Sequence, residues 1–157
     1  MKTAEDILMQ KGLQLYSVPI TATLHDAIEM MLANHIGAVL VEEQGKMVGI
    51  WVERDLLRAS LAPDFNPHDI PICERMTKPL ITVAHSETIY RLMDKLLGMR
   101  VRHLPVEKEG KIIGVLSSGD VIRAALLEKT HEFDELNHLL SWEYYENWRW
   151  KKQPSER

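Results

Sequence analysis

One cysteine, Cys73, is all that this chain of 157 residues carries. It can close no disulfide within itself and offers no cysteine-rich zinc ribbon, and that usage fits a reducing compartment. No stretch approaches the roughly 18 consecutive apolar residues of a spanning helix, so no membrane segment is predicted. The opening MKTAEDILMQKGLQLYS has early acidic residues and no apolar core of signal-peptide length, and the expected location is cytoplasmic. Basic residues are not in excess. The 19 Lys and Arg face 23 Asp and Glu, for a formal net charge of −4, so neither nucleic acid nor an anionic membrane is an expected partner. Walker and dinucleotide glycine fingerprints are missing. No Ser/His/Asp set or paired carboxylates stand at a catalytic spacing, so no catalytic residue, no enzyme activity and no resident catalytic cofactor or metal is expected.

What is there is a repeat. GKMVGIWVERD at 45–55 returns as GKIIGVLSSGD at 110–120, and residues 15–59 align with 80–124 without a gap. Identities include Val18/Val83, Thr23/Thr88, Leu32/Leu97, Gly49/Gly114, Asp55/Asp120 and Arg58/Arg123, each pair 65 residues apart. Self-similarity of this kind marks a duplicated structural unit. In each copy a short extended piece leads to a helical stripe, Leu24, Ile28, Met31 and Leu32 in the first and Ile89, Met93, Leu96 and Leu97 in the second. Thr21 or Thr23, and Ser86 or Thr88, suit the helix N-termini. Two apolar runs then flank a polar loop with glycine, a hairpin signal, and a second helix follows each aspartate.

The predicted fold class is α/β, two β-α-β-β-α units packed by pseudo-twofold symmetry with a helical aromatic-rich tail. Expected boundaries are 7–62 for the first repeat, 63–75 for a linker with three prolines, 76–127 for the second repeat and 128–157 for the tail. Neither unit alone closes a core, and the crevices between two such units are natural ligand sites.

SSGD at 117–120 gives one crevice its chemistry. A carboxylate at Asp120, where a strand hands over to a helix, can accept both hydroxyls of a ribose in charge-assisted bonds. Ser117 can donate to a phosphate or sugar oxygen, and Gly119 lets a ligand approach the backbone. The plainer reading makes Asp120 and Asp55 helix N-caps, and one carboxylate has acceptor sites for both roles.

With SSGD at 117–120, ERD at 53–55, MRVRHLPV at 99–106 and MTKPLITV at 76–83 set in an ungapped repeat, the chain resembles a tandem pair of CBS domains, a Bateman module, across roughly residues 7–127. Small stand-alone bacterial proteins of this type are the most similar in pattern. The resemblance implies a regulatory rather than catalytic module that binds an adenosine-containing ligand, AMP, ADP, ATP, NAD or S-adenosylmethionine, and that forms a homodimer. It implies Asp120 on ribose, Ser117 near phosphate or sugar, the backbone from Thr82 to Ala84 beside adenine, and Arg102 and His103 on phosphates. Arg54 would reach this site from the other repeat. The first copy departs from the pattern, because Val52 stands where the hydroxyl belongs, beside Trp51, although Asp55 remains. Ser17, Pro19 and Ala38 would line that crevice. The lost hydrogen bond is worth about 1 kcal/mol, so the first-repeat site is expected to be the weaker.

Some residues have plainer readings. Strand alternation puts Arg102 and His103 on opposite faces, one of them facing solvent, unless an anion site recruits them; a titrating His103 would then bind anions better below about pH 6.5. His131, Glu135 and His138 share helical spacing, but polar helix faces often carry such groups. Cys73 reads as a small packed residue. In the tail, Phe133, Leu136, Leu140, Tyr144 and Trp148 form a stripe. It suits packing on the core or a dimer mate, docking of an unidentified protein partner, or a membrane interface that Glu143 and Glu146 oppose. The alternative function is therefore an interaction or dimerisation module with vestigial ligand sites.

Overall fold

The computed structural model describes residues 1–134 of the chain, the side chains to residue 130. The tail stripe and the His131, Glu135 and His138 group accordingly lie outside the described side chains. Helix α1 (Ala4–Lys11) comes first. The first repeat is β1 (Ser17–Pro19), α2 (Leu24–Asn34), β2 (Ala38–Glu43), β3 (Lys46–Val52) and α3 (Glu53–Ala59). The second is β4 (Val83–Ala84), α4 (Ile89–Met99), β5 (His103–Lys108), β6 (Lys111–Ser117) and α5 (Ser118–Asp134). Each repeat builds its own three-stranded sheet, first pair parallel and second antiparallel. The β-α-β-β-α order is the one the sequence predicts.

The duplication extends to backbone detail. The register slips between Val41 and Glu42 and again between Val106 and Glu107. Both hairpins turn on two residues with positive φ, Gln44-Gly45 and Glu109-Gly110, the geometry that matches strand twist and that glycine adopts without steric cost. His35 and Arg100, at equivalent positions, end α2 and α4 in the left-handed region. Thr23 starts α2 in a reciprocal capping box with Asp26.

Two apolar cores result, and each is closed by a segment from outside its own repeat. Ala4, Ile7 and Leu8 of α1 pack with Leu92, Leu104, Val106, Leu116 and Val121 of the second repeat. Ile72, in a single 3-10 turn at Ile72–Glu74 within the stretch predicted as linker, packs with Trp51, Leu24 and Val41 of the first. The repeated glycines lie under these segments. A Cβ on Gly114 would stand 2.7 Å from Leu8 Cδ2, and one on Gly49 would stand 2.6 Å from Met76 Sδ. Cys73, half-buried in the same turn, is a packed residue.

The predicted helix stripes are right for Leu24, Met31, Ile89 and Leu96, which are buried, but not for their last members. Leu32 is 71% exposed and Leu97 75%. Each follows a buried residue by one position, about 100° around the helix, which turns it off the core face.

Candidate functional site

Ser117 and Asp120 clasp each other at the start of α5. Asp120 Oδ2 accepts from the Ser117 N–H at 2.7 Å and from the Ser117 hydroxyl at 2.8 Å, while the Asp120 N–H donates to Ser117 Oγ at 3.1 Å. This is a capping box in which Asp120 is the third helical residue rather than the N-cap that the sequence suggested. Asp55 stands likewise in α3, its Oδ2 accepting from the Val52 N–H at 3.0 Å. The helices begin before these aspartates because the strand residue ahead of each helix already serves as its cap.

Lys11, the last residue of α1, completes the first cluster. Its ammonium donates to Asp120 Oδ2 at 2.6 Å and to the Val115 carbonyl at 3.1 Å. Burial alone would raise the Asp120 carboxyl, but the bonds from Lys11, the Ser117 N–H and the Ser117 hydroxyl outweigh it and hold the group below its ordinary value. All three bonds converge on Oδ2, and Oδ1 takes none among the described residues.

This cluster walls a cavity of about 390 Å³ between the repeats, within the roughly 300–1,000 Å³ range of small-molecule sites. Ser117, Asp120 and Val115 form one side. Gly12, Gln14, Tyr16, Asn34, His35 and Ala38 form the other. A pseudo-symmetric cavity of about 460 Å³ opens beside Val52 and Asp55, its opposite wall made by Thr77, Met99, Arg100, Val101 and Arg102. Every one of those wall positions is the 65-residue counterpart of a position in the first cavity. A third hollow of about 400 Å³ lies between them and takes Gly37, Glu53, Arg102, His103 and Ser117 into its lining.

Because each cavity lies between repeats, the grouping of residues by repeat is exchanged. Ala38, expected beside Asp55, lines the Asp120 cavity. Arg54, expected to reach the Asp120 site, lines the Asp55 cavity, as does Arg102. Arg102 also reaches the middle hollow with Ser117 and Gly119, and His103 borders all three spaces. Ser17, Pro19, Thr82 and Ala84 line none of them. Ser17, Pro19 and Ala84 are held in the parallel strand pairs, and the Thr82 hydroxyl donates to Glu107 Oε2 at 3.1 Å. Lys11, Arg58 and Arg100 were missed from the sequence. Lys11 lies outside the aligned repeat, and the two arginines show their direction only once α3 and α4 are packed.

Burial lowers His103 below its ordinary value against the opposing pull of Glu53. The switch to a charged imidazole therefore lies below pH 6.5 rather than at it. Asp55 is 7% exposed and bonded by Arg58 at 3.4 Å and the Thr77 hydroxyl at 3.5 Å. Asp120, with its own cation already in place and one oxygen unbonded, is the better equipped of the two to take a hydroxyl donor.

Comparison with known proteins agrees with this architecture. The CBS domain family profile matches residues 4–62 and 69–127. The mitochondrial CBS domain-containing protein CBSX3 of Arabidopsis thaliana is 34% identical over 120 residues, which cover 73% of this chain and 58% of that protein, so the chain spans little more than half of its relative's length. The solved CBS domain protein NE2398 superposes with a TM-score of 0.76 at 38% identity, covering 80% of this chain and 99% of the other. A CBS domain protein from Pyrobaculum aerophilum, solved in complex with AMP, gives 0.70 at 27% identity, covering 81% and 97%. CBS-domain proteins are generally regulatory modules without catalysis, and among the described residues no helix is long and apolar enough to cross a membrane. The chain belongs to the CBS-domain family and is a tandem pair of such domains, a Bateman module.

Proposed function

We propose that the chain is a non-catalytic sensor that takes an adenosine-containing ligand, AMP, ADP, ATP or NAD, into the cavity between its repeats at Ser117 and Asp120. One observation carries the reading: Asp120 is held ionised by Lys11 and Ser117, with Oδ1 unbonded, in an inter-repeat cavity of ligand size. A ribose hydroxyl donates to Oδ1, and a phosphate draws Lys11 away from Oδ2. The AMP held by the Pyrobaculum relative supports the ligand class.

The signal has a physical route. Lys11 ends α1, and α1 is part of the core of the second repeat. A ligand that binds better with Lys11 turned toward its phosphate biases α1, and hence the pose of one repeat against the other, by that difference in affinity. The single cysteine supports a reducing, cytoplasmic setting for such a sensor.

A homodimer belongs to the same reading. Exposed apolar side chains recur in both copies, Leu32/Leu97, Leu57/Ile122 and Leu61/Leu126, the last pair 84% and 57% exposed. A surface repeated by pseudo-twofold symmetry suits an isologous contact with a second copy. Those residues also favour the second reading, an interaction module whose cavities are vestigial. Calorimetric titration with AMP, ADP, ATP, NAD and S-adenosylmethionine separates the two. The sensor requires binding by at least one of them, and binding by none counts against it in favour of the interaction reading.

A further inference from the structure

The two cavities are built alike but charged differently, and the duplication supplies the comparison within one chain. Around Asp55 stand Arg54, Arg58, Arg100 and Arg102. Their counterparts 65 residues away are Gly119, Arg123, His35 and Gly37, of which only Arg123 carries a fixed charge, and it lines not the Asp120 cavity but a smaller hollow that also takes in Lys11 and Asp120. Among the described residues, the Asp120 cavity has one fixed cation, Lys11, and that is engaged by Asp120. Four arginines thus share the Asp55 cavity with two carboxylates, Glu53 and Asp55, on a chain of net charge −4.

The arginines come from both repeats. Arg54 and Arg58 project from α3, and Arg100 and Arg102 lie between α4 and β5. Arg58 is paired with Asp55 at 3.4 Å, and Arg54 donates to the Arg100 carbonyl at 3.3 Å, which draws the two walls together. Arg100 and Arg102 have no carboxylate partner among the described residues. Like charges gathered in one cleft repel one another, and a multivalent anion removes that penalty. Guanidinium groups match phosphate oxygens in bidentate pairs that ammonium groups cannot make. Val52, in place of a serine, removes a sugar contact from this cavity and leaves phosphate recognition dominant.

We propose that the Asp55 cavity is a polyphosphate site that selects a nucleoside triphosphate over a monophosphate, while the Asp120 cavity is matched to a monophosphate. The proposal rests on the nucleotide-sensor reading and reverses the expectation that the first-repeat site is the weaker one.

The test is calorimetric titration of the full chain with AMP, ATP and inorganic tripolyphosphate, in wild type, in an Arg54→Gln/Arg102→Gln double variant and in its Arg54→Lys/Arg102→Lys counterpart. Both arginines are exposed, so the folded state survives either change, and circular dichroism checks it. ATP and tripolyphosphate are expected to bind wild type more tightly than AMP, with affinity that falls as salt rises. The Gln variant should lose about tenfold per arginine toward both, on the scale of a charge-assisted hydrogen bond, and lose less toward AMP. The Lys variant should recover part of the loss. Tripolyphosphate binding that ignores both arginines overturns the proposal, as does equal weakening of AMP and ATP. Arginine-dependent binding of tripolyphosphate with no binding of AMP or ATP supports the anion site and removes the sensor reading instead.

Discussion

Replacing Gly114 with alanine tests whether α1 closes the core of the second repeat. The new Cβ would stand 2.7 Å from Leu8 Cδ2, 2.9 Å from Cδ1 and 3.4 Å from Cγ. Carbon atoms settle at about 3.5–4.0 Å, so the leucine has to retreat by roughly 1 Å. It has nowhere to go, being 1% exposed and packed among Ala4, Leu116 and Val121. Overpacking of this kind costs about 1–3 kcal/mol. With a urea slope of about 2 kcal/mol/M, a loss of about 2 kcal/mol lowers the unfolding midpoint by about 1 M. Leu8→Ala alone should cost about 2–5 kcal/mol as a cavity. In the Leu8→Ala/Gly114→Ala double variant the space vacated at position 8 accommodates the methyl introduced at position 114. The combined loss should therefore fall short of the sum of the two single losses by about 0.5–3 kcal/mol. Strict additivity in urea denaturation would refute the seating of Leu8 on Gly114.

Two further outcomes follow from the charge and apolar distribution. Burial depresses His103, so the unfolded chain binds that proton more readily than the folded one; its contribution to stability is fully present above pH 6.5 and is lost as pH falls below that value toward the folded pKa. The urea midpoint should therefore drop on acidification through this window, and less steeply in a His103→Gln variant; equal slopes would contradict the assignment. Light scattering should give wild type twice the monomer mass and a Leu61→Glu/Leu126→Glu variant the monomer mass, and a monomeric wild type would count against the proposed dimer.

The duplication was legible because the backbone requirements of each unit are local. Hairpin turns need residues that tolerate positive φ, strands need apolar runs, and the pattern returns in register at Gly45/Gly110 and Gly49/Gly114. The reason for the second glycine pair was not legible, since its partner atoms, on Leu8 and Met76, lie far from the glycines along the chain and meet them only in the packed fold. The same limit hid Lys11, which meets Asp120 across 109 positions of sequence. Asp120 and Ser117 were recognisable from their spacing, yet their clasp as a capping box depends on where α5 begins. Ala38 and Arg54 line the cavity opposite to the one expected, and Arg102 lines the Asp55 cavity as well as the hollow it shares with Ser117 and Gly119, because a reading along the chain groups residues by repeat and an interface cavity does not. Leu32 and Leu97 read as core because a stripe of apolar residues does not show its own edge; burial ends one position earlier, at Met31 and Leu96.

The seating of α1 bears directly on how such a module reports its state. The Asp120 cavity and the core of the second repeat share one helix, with Lys11 at the cavity and Ile7 and Leu8 in the core, so on the proposed reading a ligand that displaces Lys11 bears on the packing of α1.

The central claim, that Asp120 receives an adenosine ligand, is tested most directly by titrating AMP into wild type and Asp120→Asn side by side. The asparagine oxygen still accepts the Ser117 N–H, so the helix cap persists and the folded state can be confirmed by its urea midpoint. The account predicts binding to wild type and a loss of about tenfold or more in the variant, the worth of a hydrogen bond to a charged acceptor. Equal affinity in the two proteins, or no binding to either, would contradict it.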